Sequence, residues 1–305
     1  MDRRKFISSG IVAAAIPSLH SFTKIKEMEV FNKTKSEMTV GVITSIKNPE
    51  EDLHRVSDFG FEYFQAGVSE YTPDMAKRIT EACEKFRVSP LTLICMGPGP
   101  YKWNLTEGPS TVGLIPREFR EARIQHLKEG IDFCNGSGFS GVLAHFGFIP
   151  ENPKDVLYLE FIPIMKEIAE YALKRGKDIC FETGQETPVT LLRAIEDIGA
   201  PNLFVNLDVG NLLLYGKANP LDGLQMLSRY VKSLHAKDAE YPTNPRELGK
   251  EYPIPEGKVD FPGIISKLKK IDFKGCIVIE NELSTNSKEY LVRTKKYLED
   301  LIETS

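Results

Sequence analysis

The chain has 305 residues, of which 41% are hydrophobic and 27% are charged, a composition typical of a globular protein with a sizeable core. The formal net charge of −4 leaves no overall basic field, which argues against nucleic acid as a partner. A barrel of alternating strands and helices takes about 250 residues, so a single domain of this kind is the simplest interpretation.

The first part of the chain has the pattern of a bacterial export signal. Arg3 and Arg4 precede a short apolar run at residues 11–16, as in twin-arginine signals, which carry folded proteins to the periplasm. The run is too short to form a stable membrane anchor. We therefore predict that residues 1–37 are an export signal and linker, that residues 38–305 form the catalytic domain, and that the protein is periplasmic.

From residue 38 onward, β-like and helix-like segments alternate eight times. The strand candidates are residues 39–44, 63–66, 90–95, 141–145, 179–182, 203–208, 233–235 and 276–280. Stretches with apolar residues at helical spacing lie between them, for example residues 118–137, 157–175, 188–198, 220–230 and 261–271. Eight such units predict an α/β fold, a closed (β/α)8 TIM barrel in a single domain after the signal segment.

The connecting loops differ in length between the two ends of the predicted barrel. The loops that follow strand candidates are long and contain Pro or Gly, as at residues 96–104 and 239–257. The loops at the opposite end, such as residues 175–177 and 273–275, are short. A barrel enzyme builds its active site from the long loops of one face, so we expect the site at the carboxyl ends of the strands.

The last four strand candidates each end in a residue that can bind a metal or carry a proton. These residues are Glu182, Asp208, His235 and Glu280. Any one of them alone is more simply explained as a cap or a packed side chain, so the prediction rests on their equivalent positions in successive units. Carboxylates with one imidazole favour one divalent ion, Mn, Mg, Co or Zn, with open positions for substrate oxygens.

Five segments, taken in order, resemble the sugar phosphate isomerase/epimerase family with a xylose isomerase-like TIM barrel. They are FETGQET (181–187), LDVGNLLLYG (207–216), LHAKD (234–238), GKVDFP (257–262) and GCIVIE (275–280). The resemblance covers roughly residues 38 to 303. It implies a xylose isomerase-like barrel that acts on a small carbohydrate, but it names no particular sugar.

The resemblance also implies roles for the four strand-end residues. Glu182, Asp208, His235 and Glu280 would hold the metal, and the two glutamates would exchange protons with substrate carbon from opposite faces. A metal that bridges a carbonyl and the neighbouring hydroxyl acidifies the carbon between them and stabilises an enediolate. The predicted function is therefore a divalent metal-dependent sugar isomerase or epimerase that acts by proton abstraction next to a carbonyl.

Five further residues are predicted to bind substrate: His145, Asn211, Lys237, Gln185 and Trp103. Asn211 is a departure, because family members that epimerise free ketoses often carry a histidine three residues after the aspartate. An amide can hydrogen-bond a hydroxyl but cannot act as a cationic donor. Simpler explanations stay open for His145 as a packed histidine, Lys237 as a surface ion pair and Trp103 as a loop aromatic that packs on the barrel.

Two alternatives to the isomerase or epimerase remain open. One is a metal-dependent lyase or eliminase that acts on a keto-glycoside, and the other is a non-catalytic sugar-binding barrel. Glu182 and Glu280 argue against the second, because a pure binder needs no two opposed carboxylates. The identity and phosphorylation or oxidation state of the sugar, the metal, the signal cleavage site and the formation of a homo-oligomer are not fixed by the sequence.

Overall fold

The computed structural model describes residues 38–283 and 287–304. Its strands are β1 (Thr39–Ile46), β2 (Tyr63–Val68), β3 (Ser89–Ile94), β4 (Gly141–Ala144), β5 (Asp178–Glu182), β6 (Leu203–Asp208), β7 (Val231–Ala236), β8 (Asp238–Glu240), β9 (Lys250–Tyr252) and β10 (Cys276–Ile279). All except β8 and β9 are parallel and close into a barrel in the order β1-β10-β7-β6-β5-β4-β3-β2. The predicted (β/α)8 barrel is confirmed.

Helices connect the barrel strands. They are α1 (Pro49–Asp58), α2 (Pro73–Phe86), α3 (Gly108–Thr111), α4 (Arg117–Ser137), α5 (Val156–Leu173), α6 (Pro188–Ile198), α7 (Val209–Leu214), α8 (Pro220–Leu227), α9 (Phe261–Lys270) and α10 (Lys288–Thr304). Of the described helices, none is long and apolar enough to cross a membrane. The predicted export segment, residues 1–37, lies outside the described residues, so the signal and the domain boundary stay predictions.

Local sequence signals fix where several helices begin. Thr187 caps α6 by accepting a hydrogen bond from the backbone N–H of Thr190, and Pro188 occupies the first turn, where no backbone donor is needed. Asp260 caps α9 in the same way through the N–H of Gly263. The apolar faces that follow pack on the outer side of the strands and form one continuous core with them.

Two predicted strands end one residue earlier than expected. β4 ends at Ala144 and β10 ends at Ile279, so His145 and Glu280 lie just past the strands. The backbone N–H of Glu280 still donates to the carbonyl of Ala236 at 3.1 Å, but no further ladder pairing follows. Both side chains therefore stand at the rim of the barrel.

The loop after β7 contains structure that the sequence pattern did not predict. β8 and β9 pair as an antiparallel hairpin within it. Asp238 holds the base of this loop, because its carboxylate accepts backbone hydrogen bonds from Ala239, Gly257 and Val259 at 2.9, 2.8 and 3.0 Å. The hairpin thus leaves the barrel mouth from a fixed point.

Arg123, on α4, is fully buried and fastens the loop that follows β3. Its guanidinium donates to the carbonyls of Pro98, Pro100 and Gly113 at 3.0, 3.0 and 2.7 Å. These three acceptors satisfy a charge that would otherwise be costly to bury. The loop that carries Trp103 is therefore held by a residue of α4, the second helix after β3.

Candidate metal centre

The carboxyl ends of β5, β6, β7 and β10 bring the four predicted ligands together. One ligand atom each from Glu182, Asp208, His235 and Glu280 lies within 4.8 Å of all the others. Strand register causes this, because Asp208 pairs directly with His235 on the neighbouring strand. The four side chains meet as the sequence predicted, and their roles as ligands stay a prediction.

Asp208 is oriented by the short helix that begins after it. Its Oδ1 atom caps α7 by accepting a hydrogen bond from the backbone N–H of Asn211 at 2.7 Å. Its own N–H donates to Thr183 Oγ1 at 2.8 Å, which ties β6 to the end of β5. One carboxylate oxygen is thereby used by the fold, and Oδ2 lies 3.8 Å from Nδ1 of His235.

His235 presents its two ring nitrogens to different surroundings. Nδ1 lies 2.9 Å from Glu182 Oε1 and 2.9 Å from Glu280 Oε2. Nε2 lies 2.6 Å from Oε1 of Gln65, which is on β2. The ring nitrogen that faces the carboxylates, and would face a metal held by them, is therefore Nδ1.

Lys237 is a buried cation beside the same carboxylates, only 1% exposed. Its Nζ lies 3.1 Å from Glu280 Oε2, 3.6 Å from Asp208 Oδ2 and 3.0 Å from Glu282 Oε1. Nζ also donates to Asn211 Oδ1 at 3.3 Å. A surface ion pair, the simpler explanation open from the sequence, does not describe this lysine.

Two atoms of the cluster suit a bound cation. Asp208 Oδ2 and Glu280 Oε2 are buried and accept no hydrogen bond, although Lys237 and His235 lie near them at distances typical of ion pairs. A buried carboxylate oxygen without a hydrogen bond is costly unless another positive group satisfies it. Three carboxylates and one imidazole are a donor set that fits Mg, Mn, Co or Zn.

The pKa shifts of the cluster residues also fit a site for a bound cation. Burial raises the pKa of Asp208 to about 7. Burial acts likewise on Glu182 and Glu280, but the neighbouring cationic side chains outweigh it and hold the pKa of both glutamates below the ordinary range. Burial lowers the pKa of His235, yet Glu182 and Glu280 overcome this and raise it well above its ordinary value. A divalent ion would replace the proton on Nδ1 and balance the same carboxylates.

A second group of predicted residues lies on one side of the cluster. His145 Nε2 is 3.3 Å from Glu182 Oε2, and His145 Nδ1 is 3.1 Å from Gln185 Oε1. The Trp103 ring meets the His145 ring edge to face, with 5.1 Å between centres, and stays 45% exposed. Gln185 Nε2 is buried and lacks a hydrogen-bond acceptor of good geometry, although the Tyr215 side chain lies nearby. This side of the site offers a free donor and an exposed aromatic face.

Asn211 is engaged with the protein. Its Nδ2 donates to the carbonyl of Thr183 at 3.4 Å and its Oδ1 accepts from Lys237. The preceding Gly210 allows this arrangement, because a Cβ at that position would lie only 2.6 Å from Lys237 Cγ. The amide oxygen predicted to bind substrate thus holds Lys237, which also hydrogen-bonds Glu282 and lies at ion-pair distance from Glu280 and Asp208.

The sequence pattern missed two residues near the cluster. Gln65, which contacts His235, is the one polar residue with a fully buried side chain in the apolar segment of β2, and this was the available signal. Tyr215, at the end of α7, is buried against Gly184 and Phe148. Nothing in its sequence context distinguished Tyr215 from a core aromatic residue.

Comparison with known proteins identifies a family for most of the chain. The family described as xylose isomerase-like TIM barrel matches residues 53–301. Among solved structures, a xylose isomerase domain protein from Planctomyces limnophilus is 29% identical, with a TM-score of 0.80 over 87% of this chain and 96% of that chain. A D-tagatose 3-epimerase-like protein is 22% identical, with a TM-score of 0.68 over 87% and 97% of the two chains, which shows the fold alone.

Curated relatives match over shorter regions. An inosose dehydratase from Histophilus somni is 26% identical over 157 residues, which are 44% of this chain and 52% of the relative. An uncharacterized protein from Methanocaldococcus jannaschii is 28% identical over 195 residues, or 59% and 64% of the two chains. The chain thus spans less than two thirds of the length of these curated relatives.

Proposed function

Because the chain belongs to the family of xylose isomerase-like TIM barrels, we propose that it is an enzyme that isomerises or epimerises a sugar with one divalent metal ion. Catalysis would move a proton at the carbon next to a carbonyl group. The observation that carries the proposal is that Glu182 and Glu280 reach one cluster from β5 and β10, strands that are not neighbours in the barrel. Two carboxylates can then face one carbon from different sides.

Each glutamate has a partner that can hold it in place during proton transfer. His145 lies beside Glu182 and Lys237 lies beside Glu280, at 3.3 and 3.1 Å. When bound, the ion would polarise the carbonyl and so acidify the neighbouring carbon. Glu182 would remove or return the proton on one face and Glu280 on the other, as general acid–base catalysis requires. Asp208 and His235 would hold the ion.

The donors around the cluster favour an uncharged sugar. A phosphate group needs several N–H donors or cations that are free to contact it. Lys237 has three N–H donors and already contacts Glu280, Glu282 and Asn211. The exposed face of Trp103 and the free amide donor of Gln185 suit the apolar face and the hydroxyl groups of a neutral carbohydrate instead.

A second candidate is a metal-dependent dehydratase or eliminase. The inosose dehydratase relative favours it, because elimination begins with the same proton removal next to a carbonyl. His145 touches Glu182 and would be the group placed to protonate a leaving hydroxyl. Both candidate reactions begin with removal of the proton next to the carbonyl. They differ in whether the product keeps the hydroxyl group that an elimination would expel.

The test is proton exchange with neutral ketoses, keto-glycosides and keto-cyclitols, using metal-loaded protein in deuterated water. Deuterium should enter the carbon next to the carbonyl. Glu182→Gln and Glu280→Gln should each reduce this exchange by a factor of about 100 or more. Glu247→Gln is the matched control, because Glu247 is exposed in the loop after β7 and should not affect exchange.

Three outcomes separate the possibilities. Deuterated epimer or isomer supports the leading proposal. A dehydrated product with a conjugated carbonyl supports the second candidate. Isomerisation without deuterium uptake would contradict both, because it would require a hydride shift and leave the glutamates as ligands only.

A further inference from the structure

His235 contacts Gln65 through the ring nitrogen that faces away from the carboxylates. A neutral imidazole carries one proton, and the nitrogen without it is the one that can coordinate an ion. Nδ1 faces the carboxylates, whereas Nε2 faces Gln65 Oε1 at 2.6 Å. A metal among these carboxylates therefore needs the remaining proton on Nε2, where an acceptor must receive it.

Gln65 reaches His235 through the interior of the barrel. It lies on β2, separated from β7 by β1 and β10, and its side chain is fully buried. Its Nε2 donates to Ser233 Oγ at 3.3 Å and lies 3.5 Å from Asn206 Oδ1. The Ser233 hydroxyl in turn donates to the same Asn206 oxygen. Gln65, Asn206 and Ser233 thus form a hydrogen-bonded polar group, here called the floor, next to His235.

The direction of the Gln65 amide follows from the observed direction of the Asn206 amide. With the Asn206 oxygen facing inward, the Gln65 NH2 group points to Asn206 and Ser233, and the Gln65 oxygen is left for His235. If both amides turned over, Gln65 would donate to Nε2, the ring proton would move to Nδ1, and the metal-facing nitrogen would be blocked. The arrangement in the structure is the one that leaves Nδ1 free for an ion.

We propose that Gln65 is a positioning residue of the metal centre, whose amide oxygen keeps the proton of His235 on Nε2 and so presents the Nδ1 lone pair to a divalent ion. Partners of this kind behind a metal-binding histidine typically change metal affinity 10- to 100-fold when removed. The inference rests on the metal centre of the proposed function and is independent of the reaction catalysed there.

The experiment measures metal affinity and ring protonation with Zn²⁺ as the probe. Calorimetry on the full chain gives the affinity, and ¹⁵N-labelled histidine NMR of the zinc-loaded protein shows which ring nitrogen carries the proton. Gln65→Met keeps side-chain length but removes the acceptor, and should weaken zinc binding by a factor of about 10 to 100. Gln65→Glu restores an acceptor, and should retain wild-type affinity with the Nε2 proton shifted downfield.

The matched control is Thr92→Val on β3. Thr92 is also a buried polar residue of a barrel strand, and its hydroxyl has no hydrogen-bond partner. Loss of that hydroxyl should leave both zinc affinity and the His235 signals unchanged. An equal loss of affinity in this variant would show that any polar substitution in the barrel disturbs the site, and would overturn the assignment to Gln65.

Other outcomes would also overturn the inference. Zinc-loaded wild-type protein with the His235 proton on Nδ1 contradicts it directly, as does wild-type affinity in Gln65→Met. If Gln65→Met does not fold, Gln65→Glu decides alone, because an unshifted Nε2 proton would show that residue 65 is not its acceptor. Failure of wild-type protein to bind zinc would overturn the metal centre as well. If wild-type protein binds zinc and only the results at residue 65 contradict the inference, the proposed function stays intact.

Discussion

The two halves of the barrel bury different chemistry. Within β1 to β4, the buried side chains are apolar except for Gln65 and Thr92. In the other half, made of β5, β6, β7 and β10, buried polar and charged groups are concentrated in the first three strands, namely Glu182, Asn206, Asp208, Ser233 and His235. One half therefore resembles an ordinary protein core, and the other is an arrangement of charges that the fold must keep together.

This difference indicates that one part of the barrel mainly stabilises the fold and the other mainly forms the binding site. Apolar contacts stabilise without needing a specific partner, whereas buried carboxylates destabilise unless cations balance them. His235 and Lys237 provide that balance in the protein, and a bound ion would add to it. Changes to the apolar side chains of β1 to β4 should thus affect stability, and changes to the charged side chains of β5 to β7 should affect binding.

The largest expected effect tests the apolar half. Phe64, on β2, is fully buried and meets the ring of Phe139 edge to face with 6.0 Å between centres. Phe64→Ala should lower the free energy of unfolding by about 3 to 5 kcal/mol, because it removes apolar contacts and leaves a cavity. Urea denaturation measures the loss. Metal content per folded chain should stay at the wild-type level. A parallel loss of metal would contradict the idea that the apolar strands govern stability and the charged strands govern metal binding.

The next effect tests the charged half. Asp208→Asn should reduce divalent metal affinity by a factor of about 100, or about 2.7 kcal/mol, because it removes a carboxylate with a free buried oxygen. Stability of the metal-free protein should change little, since burial already raises the pKa of Asp208 to about 7. Metal titration and urea denaturation of the metal-free protein measure the two quantities. Full metal occupancy in this variant would contradict the assigned ligand set.

The smallest effect concerns pH. Burial raises the pKa of Glu186 from 4.5 to about 8. Between these values the folded protein holds a proton that the unfolded chain releases, so stability should fall as pH rises through this window. Glu186→Gln should remove about 2 kcal/mol of the loss between pH 6 and pH 7.5.

Urea denaturation of wild-type protein and Glu186→Gln at the two pH values checks this prediction. Glu240→Gln, in which the altered residue lies on β8, serves as the matched control. An identical pH dependence in wild-type protein and Glu186→Gln would show that Glu186 is ionised in the folded state and that its burial has been compensated.

The fold and the ligand cluster were accessible from the sequence because both follow periodic patterns. Eight apolar runs marked the strands, and Glu182, Asp208, His235 and Glu280 recurred where the last four runs ended. Parallel strands place their carboxyl ends on one face, so equivalent positions in sequence become neighbours in space.

The supporting contacts were not accessible, because they join residues far apart in the chain. Gln65 and His235 are 170 positions apart, and the sequence gives no sign that their side chains meet. Asn211 illustrates the same limit. The motif marked it as a substrate contact, but its partners Thr183 and Lys237 come from two other strand ends.

The hydrogen bonds that Arg123 donates to the loop after β3 affect how such barrels can be re-engineered. Loop exchange between related enzymes usually treats the segment after a strand as a self-contained cassette. Here the carbonyls of Pro98, Pro100 and Gly113 in that segment depend on the guanidinium of Arg123, which belongs to α4. A graft that carried Trp103 into another scaffold would need to bring the arginine with it, so the transplantable unit extends from residue 96 through residue 123.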